Sequence, residues 1–197
     1  MLLGVKKSTP NVMLYGETGR FPLDITIKSR MTCYWFSCIN NEQSKLSYIV
    51  YKLMLILHNT NTINCNWVSF IHQTLNNLGI SNVWLLQAQG VSFNWLKCKV
   101  NRMAKDHFLQ EWSTNVYNSS KCLNYRIFKT SHIFENYLVF LPQKYRKMVT
   151  KFRCRNNRMP VEIGSYTGVV RELRFCDKCN EQQLGDEFHY LLYCIVL

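Results

Sequence analysis

Cys176 and Cys179 stand two residues apart near the end of the chain, and His189 and Cys194 follow them. Three thiols and one imidazole form a complete tetrahedral donor set for zinc, split into a tight cysteine knuckle and a His/Cys pair. Four protein ligands leave no position for water, so the pattern predicts one structural Zn2+ on Cys176, Cys179, His189 and Cys194, not a hydrolytic centre. Two local elements must position these side chains. Phe175-Cys176-Asp177-Lys178-Cys179 reads as a short turn that lets both sulfurs face one point. Gly185 to Cys194 reads as a short helix with Asp186 as its N-cap and an apolar run after it. His189 and Cys194 would reach the metal from one helical turn and from its end.

Nine cysteines in 197 residues make an isolated Cys-x2-Cys uninformative, but a full four-ligand set is more specific. Disulfides fit less well. The cysteine count is odd, and Leu2-Leu3-Gly4-Val5 is too short for the apolar core of a secretory signal. Cys33, Cys38, Cys65, Cys98, Cys122 and Cys154 fall mostly within helix-like apolar patterns and read as small buried hydrophobes. A reduced, intracellular protein of the nucleus or cytoplasm fits this usage.

A chain of 197 residues can bury about 70% of its unfolded surface as one domain. The longest apolar run, Tyr48 to Leu57, is interrupted by Lys52 and is far short of the roughly 20 residues a membrane span needs. The net charge of +12 is uneven. Residues 136–160 hold seven basic side chains and no acidic one, whereas residues 161–197 hold three basic and six acidic. The positive field therefore peaks just before the zinc element, which points to nucleic acid or another anionic surface as a partner.

The periodicity predicts helices throughout. One starts after Pro22 with Ile27, Met31, Tyr34, Trp35 and Cys38 at helical spacing, and a second spans Gln43–His58. A third carries Trp67, Phe70, Ile71, Leu75 and Leu78 and stops at Gly79. Ser92 is placed to cap a long helix to about Tyr117. Asn118-Ser119-Ser120 reads as a loop, Gly164–Arg174 as an extended or hairpin-like link, and Gly16-Glu17-Thr18-Gly19 as a lead-in to the first helix.

Pro142 opens a further amphipathic helix, Gln143 to Asn156. Tyr145, Met148, Val149 and Phe152 form its apolar stripe. Lys144, Lys147, Lys151 and Arg155 line one flank, Arg146 and Arg153 the other, and Arg158 follows in the next turn. Solvated helix faces usually mix signs. This one has no local acid, so Lys144, Arg146, Lys147, Lys151, Arg153, Arg155 and Arg158 are the expected phosphate contacts.

Trp35, Trp67, Trp84, Trp95 and Trp112 lie mostly on apolar stripes and read as core. His58, His72, His107 and His132 are scattered and read as structural or surface. No paired aspartates, nucleophile signature or phosphate-binding loop points to catalysis.

Three blocks resemble the region that follows the reverse transcriptase domain in non-LTR (LINE-type) retrotransposons of animals. They are Leu3–Pro10 with Tyr15–Leu23, then Lys151–Glu162, then the Cys176, Cys179, His189, Cys194 element. The resemblance is collinear over nearly the whole chain. It implies a parent polyprotein that binds RNA template and target DNA, with the polymerase and endonuclease domains upstream of Met1. It also implies a remnant or fragment of an element, since only Ile195-Val196-Leu197 follow the last cysteine.

The expected architecture is mainly α, with a helical region followed by a small zinc-knuckle-like module. Its expected parts are a connector at 1–22, a helical region at 23–141, a basic helix at 142–160 and a zinc module at 161–197. The expected function is RNA or DNA binding without catalysis and without a membrane. The acidic balance of 161–197 supports the alternative of a zinc-dependent protein-interaction module, and a non-functional relic is the third reading.

Overall fold

A computed structural model describes residues 3–60 and 66–196. Among the described residues the protein is mostly helical, with ten α-helices and two isolated antiparallel bridges. No described helix is long and apolar enough to cross a membrane. The chain divides into two compact units, one of residues 21–111 and one that joins residues 1–20 to 112–197. This differs from the four consecutive parts expected, because the N-terminal segment packs with the C-terminal half and not as a separate connector.

The 21–111 unit holds α2 (Leu23–Ile39), α3 (Leu46–Asn59), α4 (Asn66–Asn77), α5 (Ser81–Leu85) and most of α6 (Phe93–Asn118). α1 (Asn11–Thr18) belongs to the other unit. The apolar residues spaced three and four apart on α2, α4 and α6 meet in one core that includes Trp35, Val68, Ile71, Leu75, Leu96 and Val100. Trp35 stacks on Trp84 and donates from Nε1 to the Tyr51 hydroxyl at 3.2 Å, so the buried indole N–H is satisfied. Gly79 ends the α4 segment in the left-handed region at φ 69°, and Ser92 Oγ accepts from Trp95 N at 3.3 Å at the start of α6. Both of these punctuation marks were legible in the sequence. Trp95 is an exception to the core reading, since it is exposed.

The second unit contains α1, the end of α6 from Trp112, α7 (Tyr125–Phe128), α8 (Tyr137–Phe140), α9 (Gln143–Arg153), α10 (Pro160–Tyr166) and a C-terminal hairpin with a terminal π-turn. Gly16, Glu17 and Thr18 are part of α1 and not a lead-in. Residues 164–174 are likewise not extended: α10 continues to Tyr166, and a 3-10 turn follows at Arg171–Leu173. The loop expected at Asn118-Ser119-Ser120 tightens into a 3-10 turn at Ser120–Cys122.

Gly19 shows how tightly α1 is docked. Its φ is 58°, and a Cβ built there would sit 2.5 Å from the backbone nitrogen of Phe134. Left-handed backbone and overpacking both penalise a side chain at this position, so Gly19→Ala should cost roughly 2 kcal/mol or more. A drop in the urea midpoint at unchanged slope would show it.

Candidate functional site

The hairpin sets the cysteine knuckle. Phe175 pairs antiparallel with Leu184, Cys176 N donates to Gln183 O at 2.8 Å, and Gly185 N donates to Arg174 O at 2.8 Å. Gly185 is required by crowding: an added Cβ would meet Pro160 Cγ at 2.8 Å and Cys176 Cα at 3.1 Å. Asp186 caps the following turn, its Oδ1 accepting from His189 N at 3.0 Å, as the sequence indicated.

The five-residue spacing from His189 to Cys194 is resolved by a feature the sequence reading missed. In an α-helix these two residues would point about 140° apart. Instead His189–Tyr193 winds as a π-helical turn, and Cys194 N donates to His189 O at 2.7 Å. This i to i+5 closure widens the turn and brings both side chains to one side.

The four donor atoms of Cys176, Cys179, His189 and Cys194 lie within 4.8 Å of one another. Cys179 Sγ is 3.1 Å from His189 Nε2, and Cys176 Sγ is 4.0 Å from Cys194 Sγ. A tetrahedron built on metal–sulfur bonds of 2.3 Å has edges of about 3.8 Å, so the cluster has the size of a single-ion cage. Cys176, Cys179 and His189 are buried. Burial opposes a thiolate at Cys176. The Lys178 backbone N–H (3.4 Å from the sulfur), the Tyr190 hydroxyl and contacts to Cys179 outweigh it, bringing the pKa down to about 6. His189 Nδ1 lies 3.1 Å from Gln183 Oε1, an acceptor that places the ring proton on Nδ1 and turns Nε2 toward the sulfurs. Gln183 is not singled out by the sequence. The cluster can hold a metal ion.

The centre is built into the unit that carries it. Glu187 is buried, accepts from Asn124 Nδ2 and lies 3.9 Å from Arg155 Nε. Phe188 stacks on Phe128, and Val161 N donates to Gly185 O at 3.2 Å.

The seven basic residues expected on phosphates separate into two groups. Arg153 is removed from the candidate face. Its Nε lies 3.1 and 3.0 Å from the two carboxylate oxygens of the buried Glu17, and Nη2 lies 3.2 Å from Glu135. Arg155 also turns inward, donating to the Ser120 and Lys121 carbonyls beside Glu187. Arg146 is half-buried and donates to Leu141 O at 3.2 Å. The helix lacks acids of its own, but acids distant in sequence reach its inner face. Lys144, Lys151 and Arg158 are exposed and Lys147 is half-buried; among the described residues none of these four forms an ion pair.

No protein-family model, curated protein or solved structure matches the chain. The assignment rests on its own residues.

Other singled-out residues find structural places. Cys38, Cys122 and Cys154 are buried, and burial pushes their thiols up, as suits inert core positions. Cys33 is half-buried, Cys98 is exposed, and Cys65 lies outside the described residues. His58 and His72 are not isolated: their rings approach to 3.4 Å, with Ser69 Oγ 3.1 Å from His58 Nδ1. Burial, and after it the neighbouring His58, lowers the His72 pKa. His107 is exposed, and His132 stacks edge-on against Trp112.

Proposed function

We propose that this chain binds nucleic acid through the outer face of α9 and the turn after it, on a unit whose C-terminal end is held by one structural zinc ion. The observation that carries the binding role is the set Lys144, Lys147, Lys151 and Arg158, which remains unpaired once Arg146, Arg153 and Arg155 are spent on the fold. Long cationic side chains without acidic neighbours, on a helix anchored from its other side, are suited to phosphate contact. Three sulfurs and one imidazole with no water position favour zinc among divalent ions, and favour a structural role.

The retrotransposon resemblance supports this reading, and the fold gives it a physical context. Apart from Phe21–Leu23, the blocks that carry it lie together in one unit: Lys6 N donates to Asn156 Oδ1 at 2.8 Å, Glu17 pairs with Arg153, and Gly185 crowds Pro160. On this reading the chain contributes binding to a larger polymerase polyprotein and no catalytic group of its own.

The test is the salt dependence of affinity for a single-stranded oligonucleotide. Replacing Lys144, Lys147, Lys151 and Arg158 by Gln should flatten the plot of log affinity against log salt by roughly three units. Each phosphate contact on a single strand adds about 0.7 to that slope. Binding that ignores both salt and the four substitutions would instead favour the protein-interaction reading.

A further inference from the structure

A cavity of about 320 Å3 in the unit that carries the metal cluster is lined by four cations, Lys121, Arg155, Arg171 and Arg174. None of them belongs to the set Lys144, Lys147, Lys151 and Arg158. Glu162 is the one acid among the described lining residues, and its Oε1 takes Lys6 Nζ at 3.1 Å. Two of the four cations are fixed by the backbone. Arg155 donates to the Ser120 and Lys121 carbonyls, and Arg174 donates to the Val161 and Val169 carbonyls. Carbonyl oxygens hold a guanidinium in place without cancelling its charge.

The other two keep donors to spare. Lys121 is exposed and, among the described residues, forms no ion pair. The Arg171 side chain is 28% exposed, and its ion-pair contact, Nη2 to Asp186 Oδ2, is 3.7 Å long. Glu187 stands 3.9 Å from Arg155 Nε, so neither acid is within hydrogen-bond distance. Burial, and after it the charge of Arg155, lowers the Arg171 pKa; Arg174 adds to this, and Asp186 and Glu187 act against it. Three guanidiniums therefore share one space with incomplete compensation. A cleft lined by one sign of charge concentrates the opposite ion. Ser8 and Ser120, both exposed, add hydroxyl donors to the lining.

We propose that this cavity binds a phosphomonoester, with Lys121 and Arg171 contacting its oxygens in the field of Arg155 and Arg174. A phosphomonoester carries roughly −1.5 to −2 charge near neutral pH and offers three strong acceptor oxygens. A carboxylate brings one charge and two oxygens, and would leave more of the cavity's charge unmet. An internal phosphodiester also brings one charge, and has chain on both sides, so a recess favours a terminal phosphate. The guanidinium fork and the compact ammonium are the two side-chain groups best suited to phosphate oxygens. The site shares no cation with the outer face of α9 and stands independently of the nucleic-acid reading. Its phosphate can belong to a small ligand or to the end of a strand, and the chemistry is the same.

Titration of the full chain with inorganic phosphate, at an ionic strength held constant with chloride, should reveal one saturable site. Lys121→Gln should weaken it about tenfold, the worth of one hydrogen bond to a charged group. Lys121 is exposed and unpaired, so this variant should fold. Arg171→Gln should weaken binding by a similar factor, whereas Lys151→Gln should leave phosphate affinity unchanged. A strand with a 5′-phosphate, compared with the same strand ending in a hydroxyl, assigns the source. Tighter binding of the phosphorylated strand, lost in Lys121→Gln, would support the site and assign it to a strand end. Equal affinity of the two strands, with phosphate binding intact, would support the site and assign it to a small phosphorylated ligand. No saturable phosphate binding and no preference for the phosphorylated strand would overturn the proposal. Phosphate binding that Lys151→Gln weakens as much as Lys121→Gln would overturn it too, since charge alone would then explain it.

Discussion

Cys179→Ser, or exhaustive chelation of the wild-type chain, is expected to release one zinc ion per molecule and unfold residues from about Phe175 onward. The size of the effect follows from how little else holds this segment together. The hairpin has one isolated bridge, the π-turn is five residues long, and Leu191, Leu192 and Tyr193 are exposed. Such a segment buries too little apolar surface to offset the entropy of ordering it. Structural zinc supplies roughly 10–16 kcal/mol of apparent folding free energy, as much as the entire stability of many domains. Loss of the ion should spread beyond the ligands. Glu187 and Phe188 hold Asn124 and Phe128, and Gly185 holds Val161, so amide exchange should rise in α7 and α10 as well. Elemental analysis alongside hydrogen exchange would measure both. Cys98→Ser is the control, because Cys98 is exposed and belongs to no cluster. A soluble, fully protected C-terminal segment with no metal would overturn the assignment.

The ligand set was readable because its information is local. Cys-x2-Cys, the Asp186 cap and the apolar run after it sit within a few residues of one another, and helical periodicity outside the site was equally local. What escaped the sequence involved separation or non-standard geometry. The π-turn satisfies a five-residue spacing that an α-helix cannot, and no residue type announces such a turn. Gln183 supports His189 from the hairpin strand that faces Cys176, and the register of that hairpin is set by backbone bonds. The inward contacts of the basic helix were hidden for the same reason. A count of charges in residues 136–160 finds no acid, yet Glu17 reaches Arg153 from 136 positions away in the chain. Three of the seven basic residues, Arg146, Arg153 and Arg155, are therefore tied into the fold, and only tertiary contact could tell Arg153 from Lys151.

That same ion pair makes Glu17 the most sensitive single position away from the metal. Glu17 is fully buried, and its carboxylate accepts from Arg153 Nε through both oxygens and from the Tyr137 hydroxyl. Tyr137 in turn lies 2.9 Å from Thr150 Oγ1, and the far side of Arg153 meets Glu135, which also pairs with Lys129. Burial works against the Arg153 charge, and the Glu17 carboxylate outweighs it, so the guanidinium stays firmly protonated. Burial, and then the bond to Glu17, raises the Tyr137 phenol well above its usual range. Glu17→Gln keeps the volume and removes the charge, leaving the guanidinium against a neutral amide. Breaking one side of a buried pair costs roughly 3–5 kcal/mol, which is comparable to much of a domain's net stability. Replacing both partners with apolar side chains, Glu17→Leu with Arg153→Met, should recover a large part of that loss, since no buried charge is then stranded. Denaturant midpoints of the two single variants and the double variant would give the coupling directly. Near-additive losses would mean that the pair contributes little. The functional consequence separates anchor from face: Glu17→Gln should lower nucleic-acid binding only in proportion to the folded fraction and leave the salt slope unchanged. Lys151→Gln should do the reverse, flattening the slope with stability intact.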